Sequence, residues 1–213
     1  ELDTTSLASF CGSSDGFVKV WYCQSGNSND AQQTTTGNQP KIYDGTTGVV
    51  TENGKPALDF IDNSSRSLVG PTLSNNSILG FAVNKEADYR GTIWGLGGAT
   101  NYKTLDVQRW NSAQLQIYKG DGTNYDSALG GTSDLLQHLT TVSRFNNVLK
   151  AYSDGTEIIS TTDSFTANSE ALGFATRNTQ GQLILQEAVF YGTDQSSNRT
   201  NIETNINTFY DIF

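Results

Sequence analysis

The chain reads as all-β, an antiparallel β-sandwich with a short N-terminal helix and a C-terminal amphipathic helix, on three observations. About eleven short runs rich in β-branched and aromatic residues recur between clusters of turn formers, the spacing of a sandwich. Asn146-Asn147 and Asp154-Gly155 separate alternating runs, and residues that tolerate positive φ close two-residue hairpins. Leu183 to Tyr191 is an apolar strand that breaks at Gly192 and re-enters a helical pattern.

Taken in order, Asp3 to Gly12 joins hydroxyl caps, apolar Leu7 and Phe10 three apart, and a glycine stop, which predicts a short helix. Gly16 to Cys23 follows as a strand. Gln24 to Asn38 is polar, lacks periodicity and is rich in turn formers, so it is expected to be a surface loop. Strands are then expected over Lys41–Tyr43, Pro56–Ile61, Ile78–Asn84, Gly91–Leu96, Leu105–Trp110, Gln114–Lys119, His138–Arg144, Asn147–Tyr152, Thr156–Ser160, Ala171–Thr176 and Gln182–Tyr191. Alternation sets Leu79, Phe81 and Val83 against Gly80, Ala82 and Asn84, and assigns the larger set to the core. In the closing helix, Ile202, Ile206, Phe209, Tyr210 and Phe213 fall at helical spacing, with Thr200 and Glu203 placed as a capping box. That helix is expected to dock on the sandwich.

Length and composition narrow the function. The 213 residues suit one domain, and with no Met in the sequence they are expected to be the C-terminal part of a longer chain. Charged residues make up only 16% against 35% hydrophobic ones, and the polar surface is mainly hydroxyl and amide, which suits life outside a cytoplasm. A net charge of -9 excludes a nucleic-acid partner, whose phosphates need a basic footprint. No apolar run is long enough for membrane insertion. Cys11 and Cys23 fit either one disulfide or two packed thiols. Sequons at Asn63, Asn75 and Asn198 matter only in a eukaryotic secretory route.

Asp106, Gln108 and Trp110 alternate outward against Leu105 and Val107, and Gln114, Gln116 and Tyr118 do so against Leu115 and Ile117. Paired as a hairpin, these runs show two aromatics among amide and acid groups, the composition of a glycan-binding platform. No catalytic residues are assigned. Of the many carboxylates, Glu187 lies in an apolar strand and is the one most prone to a shifted pKa. The single histidine, His138, reads as structural, and Trp94, among Gly91, Gly95 and Gly97, reads as core. Calcium is the one candidate cofactor, with Asp15, Asp30, Asp121 and Asp126 in loops able to supply oxygens, although their spacing matches no ion-binding signature.

Two regions resemble known families. Leu149 to Ile158, with its Asp154-Gly155 turn, and Glu187 to Arg199 resemble the strand-turn-strand and terminal segments of laminin-G-like, concanavalin A-like jelly-roll domains. Phe10-Cys-Gly and Val20-Trp-Tyr-Cys-Gln-Ser-Gly are similar to the opening of family 54 α-L-arabinofuranosidase catalytic domains and to stretches in bacteriophage tail and surface proteins. Cys23 stands where those enzymes carry Asp, so whatever that carboxylate does in them is absent at this position. The resemblance implies a non-enzymatic module on a virion surface or otherwise extracellular, part of a phage spike, tail or capsid, that recognises a cell-surface polysaccharide or glycan and contacts other virion proteins or copies of itself. It also leaves two alternatives, an arabinofuranosidase-like glycoside hydrolase using a convergent carboxylate pair, and a purely structural virion protein without ligand.

Overall fold

A computed structural model describes residues 2–61, 65–87, 90–97, 104–110, 114–121, 123–132, 134–166, 168–176 and 182–213, apart from the side chains of Arg90 and Trp110. The chain opens with α1 (Thr4–Cys11), whose first turn is capped by Asp3 accepting from the Ser6 amide at 3.0 Å and which stops at Gly12 with φ 59°. Short strands follow: β1 (Gly16–Phe17), β2 (Val20–Trp21), β3 (Ala31–Gln32), β4 (Lys41–Asp44), β5 (Gly48–Val49), β6 (Thr51–Glu52), β7 (Lys55–Pro56) and β8 (Leu58–Asp59). Longer ones come next: β9 (Leu68–Ser74), β10 (Ile78–Glu86), β11 (Arg90–Leu96), β12 (Leu105–Trp110), β13 (Leu115–Gly120) and β14 (Tyr125–Gly130). The series ends with β15 (Gln137–Phe145), β16 (Val148–Ser153), β17 (Thr156–Thr162), β18 (Ser169–Phe174), β19 (Leu183–Tyr191) and α2 (Arg199–Tyr210).

Among the described residues two antiparallel sheets form the layers of a sandwich. Sheet I runs β1-β4-β8-β19-β10-β15-β16-β17, with β5 also on β4; sheet II runs β14-β13-β12-β11-β18-β9-β3-β2. The fold class is therefore the one the residue pattern predicts. Both expected hairpin turns form: Asn146 and Asn147 have φ 50° and 60°, and Asp154 and Gly155 have φ 51° and 75°. Several local expectations change. Gly16 to Cys23 is two short strands rather than one, and the Gln24–Asn38 segment contains β3 and a 3-10 turn. β9 and β14 were not legible as strands. Cys11 and Cys23 are free thiols.

The main core lies between the sheets. Ile78, Ala82, Val142, Leu149 and Ala151 from sheet I meet Trp94, Leu96, Leu105, Val107, Leu115, Ile117 and Phe174 from sheet II. Trp94 is fully buried and packs edge-on against Phe190 with ring centroids 5.1 Å apart. A Cβ at Gly80 would meet both rings at under 3 Å, so the aromatic pair requires glycine there.

The alternation in β10 has a second consequence. Its small residues face this main core, while Leu79, Phe81 and Val83 face outward into a second core completed by Leu139 and by Ile206 and Tyr210 of α2. The amphipathic helix thus docks as its pattern predicts. Its N-terminus differs: α2 starts at Arg199, Asn198 caps it without a side-chain bond, and Glu203 is buried against Arg199 instead of closing a box with Thr200. Arg199 also lies over the Tyr152 ring at 3.8 Å, fixing the start of α2 to β16.

Buried charges cross the sandwich interior. Glu86 of β10 accepts from Asn84 at 2.9 Å and pairs with Arg109 of β12 at 3.0 Å, both partners being almost wholly buried. Arg144 of β15 similarly pairs with Asp163. No helix among the described residues is long and apolar enough to cross a membrane.

Candidate functional site

The outer face of sheet II carries the predicted platform, and pairing places its residues side by side. β12 and β13 are hydrogen-bonded neighbours with Gln108 opposite Gln116 and Asp106 opposite Tyr118. Leu105, Val107, Leu115 and Ile117 point into the core, so the polar set does face outward as the alternation implies. Gln108 donates to Gln116 at 3.1 Å, and Gln116 donates on to Ser127 of β14 at 3.4 Å, so one amide ladder spans three strands. Thr92 of β11 stands opposite Gln108 at the inner end of this row.

Exposure, however, is not where the spacing alone would put it. Asp106 is 3%, Gln108 2% and Gln116 9% exposed, so these three form the back of the face rather than its contact surface. Gly95 lies opposite Asp106, and a Cβ there would meet its carboxylate oxygen at 2.7 Å, which packs this side chain tightly against the strand. Gln114 precedes β13 and is half-buried. The Trp110 side chain lies outside the described residues, so the aromatic at that end of the predicted platform is not placed.

The face opens instead toward β14, a strand the sequence did not reveal. Its residues Tyr125, Ser127 and Leu129 point the same way as Gln116 and Tyr118, by the register Tyr118 to Ser127 and Gln116 to Leu129. Tyr125 is 44% and Leu129 53% exposed. The Tyr118 and Tyr125 rings pack with centroids 5.7 Å apart and planes tilted by 53°. The result is a graded surface, with buried, hydrogen-bonded amides behind and an accessible aromatic pair in front. Behind the opposite side of the strand, Lys119 reaches Asp126 at 3.7 Å and the Thr162 carbonyl, which ties this edge to β17. Gly130 allows that contact, since a Cβ there would strike the Ile158 carbonyl.

Other candidates lie elsewhere. Glu187 is on the outer face of sheet I, half-buried beneath α2, and burial raises its carboxyl pKa while the Tyr210 hydroxyl hydrogen-bonds to it. Burial and this carboxylate likewise raise the Tyr210 phenol. Asp106 and Glu187 therefore occupy opposite outer faces of the sandwich, and a pair built from them cannot flank one glycosidic bond. His138 is held by Asp154 at 2.7 Å on one ring nitrogen and Asp134 at 2.9 Å on the other, and the Asp154 bond raises its pKa despite partial burial. Asp154 also accepts from the Leu139 amide, so the histidine locks the hairpin turn to β15 and serves structure.

The four aspartates proposed for calcium do not converge. Asp15 binds Lys41 and the Gly45 amide, Asp30 the Cys23 amide, Asp121 the Thr123 and Asn124 amides, and Asp126 the Ser127 amide. Asp126 lies in strand β14 rather than in a loop, the other three carboxylates hold separate backbone amides, and among the described residues no three His, Cys, Asp or Glu side chains gather as a metal site. Of the sequons, Asn63 lies outside the described residues. Asn75 is fully buried and bonded to the Gly120 carbonyl and the Asn168 amide, whereas Asn198 is exposed.

No protein-family model matches the chain, and no curated protein sequence matches it. Among solved structures it is similar to a GH54 α-L-arabinofuranosidase mutant soaked with 4-nitrophenyl α-L-arabinofuranoside, with TM-score 0.68 and 14% identity over 96% of this chain and 53% of that one. An arabinofuranosidase complexed with arabinofuranosyl-α-1,2-xylobiose matches at TM-score 0.66 and 14% identity, again over 96% and 53%. Trypanosoma rangeli sialidase in complex with sialic acid matches at TM-score 0.62 and 13% identity, over 90% of this chain and 32% of that one. The chain thus spans about half the length of the arabinofuranosidases and about a third of the sialidase. At these identities the likeness establishes the β-sandwich fold.

Proposed function

We propose that the chain is a non-enzymatic carbohydrate-recognition module whose binding face is the open edge of sheet II. Tyr118 and Tyr125 supply the apolar surface for the C–H face of a sugar ring, Ser127 bonds its hydroxyls, and the buried Asp106, Gln108 and Gln116 hold that first row in place. The observation that carries this reading is the tyrosine pair, Tyr125 exposed and Tyr118 half-buried, set directly on a hydrogen-bonded amide ladder. The structural neighbours support it, since their solved structures were obtained with 4-nitrophenyl α-L-arabinofuranoside, arabinofuranosyl-α-1,2-xylobiose and sialic acid. The hydroxyl-rich, weakly charged surface and the sequence resemblance to phage surface proteins further support display outside a cytoplasm, on a virion that meets host-cell glycan.

The test is retention of the chain on a panel of immobilised bacterial and plant polysaccharides. Retention is expected on at least one polymer, with Tyr125→Ala binding about tenfold more weakly at unchanged melting temperature. Retention that Tyr125→Ala leaves intact would overturn the assigned face. Absence of retention on every polymer would overturn the carbohydrate reading in favour of a protein neighbour.

A further inference from the structure

The outer face of sheet I holds an opening that the second core does not fill. β19 turns Glu187, Val189 and Tyr191 outward, α2 lies across them, and between strand and helix runs a groove of about 420 Å³, within the size range of small-molecule sites. Its floor is apolar where Val189 meets Ile202. Its outer wall is amide. Asn198, Asn201 and Asn205 stand at i, i+3 and i+7, so one side of α2 presents three carboxamides to the groove.

Asparagine is a weak helix former, and the helix itself accounts for only one of its asparagines. The side-chain oxygen of Asn207 accepts from the Ile212 and Phe213 amides and closes the C-terminal end. Asn201 and Asn205 are exposed and have no side-chain hydrogen bond to any described residue. A choice that opposes local propensity, without a compensating bond inside the fold, marks a position selected for something outside it.

We propose that this groove is a ligand site for a neutral, polyhydroxylated molecule such as the end of a sugar chain, with the Asn201 and Asn205 amides bonding hydroxyls and Tyr191 and Ile202 meeting a C–H face. Each carboxamide offers donors and an acceptor, which matches hydroxyl groups that need both. Among the described residues no cationic side chain lines the groove and Glu187 does, so an anionic ligand is disfavoured. Along the groove β19 is paired by β10, and β8 reaches it only at Ile184 and Leu185. Burial raises the Glu187 pKa, which makes this carboxyl the group of the groove most readily converted to a hydroxyl donor. The inference is independent of the sheet II reading, since the two surfaces lie on opposite sides of the sandwich.

Titration of the full chain with the methyl glycosides of arabinose, galactose and glucose, and with sialic acid, read by the side-chain amide resonances of Asn201 and Asn205, tests it. A neutral glycoside is expected to shift these resonances, and the double variant Asn201→Ala, Asn205→Ala to weaken that binding about tenfold or more with a melting temperature unchanged or raised. No shift with any neutral glycoside, shifts that persist at Gln195 and Tyr191 in the double variant with unchanged affinity, or a preference for sialic acid would each overturn the proposal. Shifts confined to Gln108 and Gln116 would overturn it too, and leave the sheet II face standing.

Discussion

The two outer faces of this sandwich start from the same strand alternation and are finished by opposite chemistry. On sheet I the outward residues of β10 are Leu79, Phe81 and Val83, and the chain folds its own helix over them through Ile206 and Tyr210. On sheet II the outward residues of β12 and β13 are Asp106, Gln108, Gln116 and Tyr118, and a ladder of side-chain hydrogen bonds joins Gln108 and Gln116 to Ser127 of β14. An apolar face must be removed from water and so becomes stability. The polar residues are buried too, but Gln108 and Gln116 bond to each other there, and the aromatic rim at Tyr125 remains exposed.

That contrast can be broken directly by removing an aromatic ring from each side. Phe81→Ala should cost about 3–5 kcal/mol in urea unfolding, because it deletes a fully buried ring beneath α2, whereas Tyr125→Ala should stay within about 0.5 kcal/mol of the parent. Equal losses would mean that both faces are load-carrying cores and would remove the case for a binding surface on sheet II. A smaller effect, about 3 kcal/mol, is expected from Glu86→Gln, which leaves Arg109 charged and uncompensated in the interior between the faces. If that variant unfolds at the parent's urea midpoint, the ion pair is not what joins the two sheets at that end.

The smallest effect expected is a pH dependence of the β16–β17 turn. His138 is raised above its ordinary value of 6.5 by Asp154, with Asp134 on its other nitrogen. A raised histidine contributes stability fully below its unfolded pKa and loses it as pH rises through the folded one, so stability should decline from about pH 6.5 upward. Arg109 opposes this shift, which limits it. His138→Gln should flatten the decline; an unchanged pH profile in that variant would show that the turn is held by the Asp154 bond to the Leu139 amide alone.

How much of this was legible beforehand depended on whether a residue's neighbours were local. The hairpin turns, the helix at each end and the long strands follow from positive-φ residues and two periodicities, all of which sequence displays. β9 was hidden by Gly70 and Pro71, which read as a break. In the fold the register shifts opposite them between Ala171 and Gly173, and a bulge spares the proline its missing ladder bond. β14 was hidden because only its outer residues are distinctive, and its partner is known only once β13 is placed. The capping box failed because Thr200 and Glu203 have the right spacing, yet burial draws Glu203 to Arg199. For the platform, alternation gave the direction of Asp106, Gln108, Gln116 and Tyr118 correctly, but not their depth, which depends on what crosses over the strands. The amides of Asn201 and Asn205 were visible in the sequence and unremarkable there, since only the docked helix shows that they face a groove.

The place of β19 also sets the schedule on which the molecule is made. This strand lies between β8 and β10, whose residues are separated from it by well over a hundred positions for one and about a hundred for the other, so sheet I is completed from its middle and last. A ribosome synthesising the chain delivers the β15, β16 and β17 hairpins before β19, and it leaves the facing edges of β8 and β10 unpaired until β19 has emerged. The nascent protein is therefore most adhesive until β19 has emerged, and a chaperone that shields strand edges has its longest task in that interval.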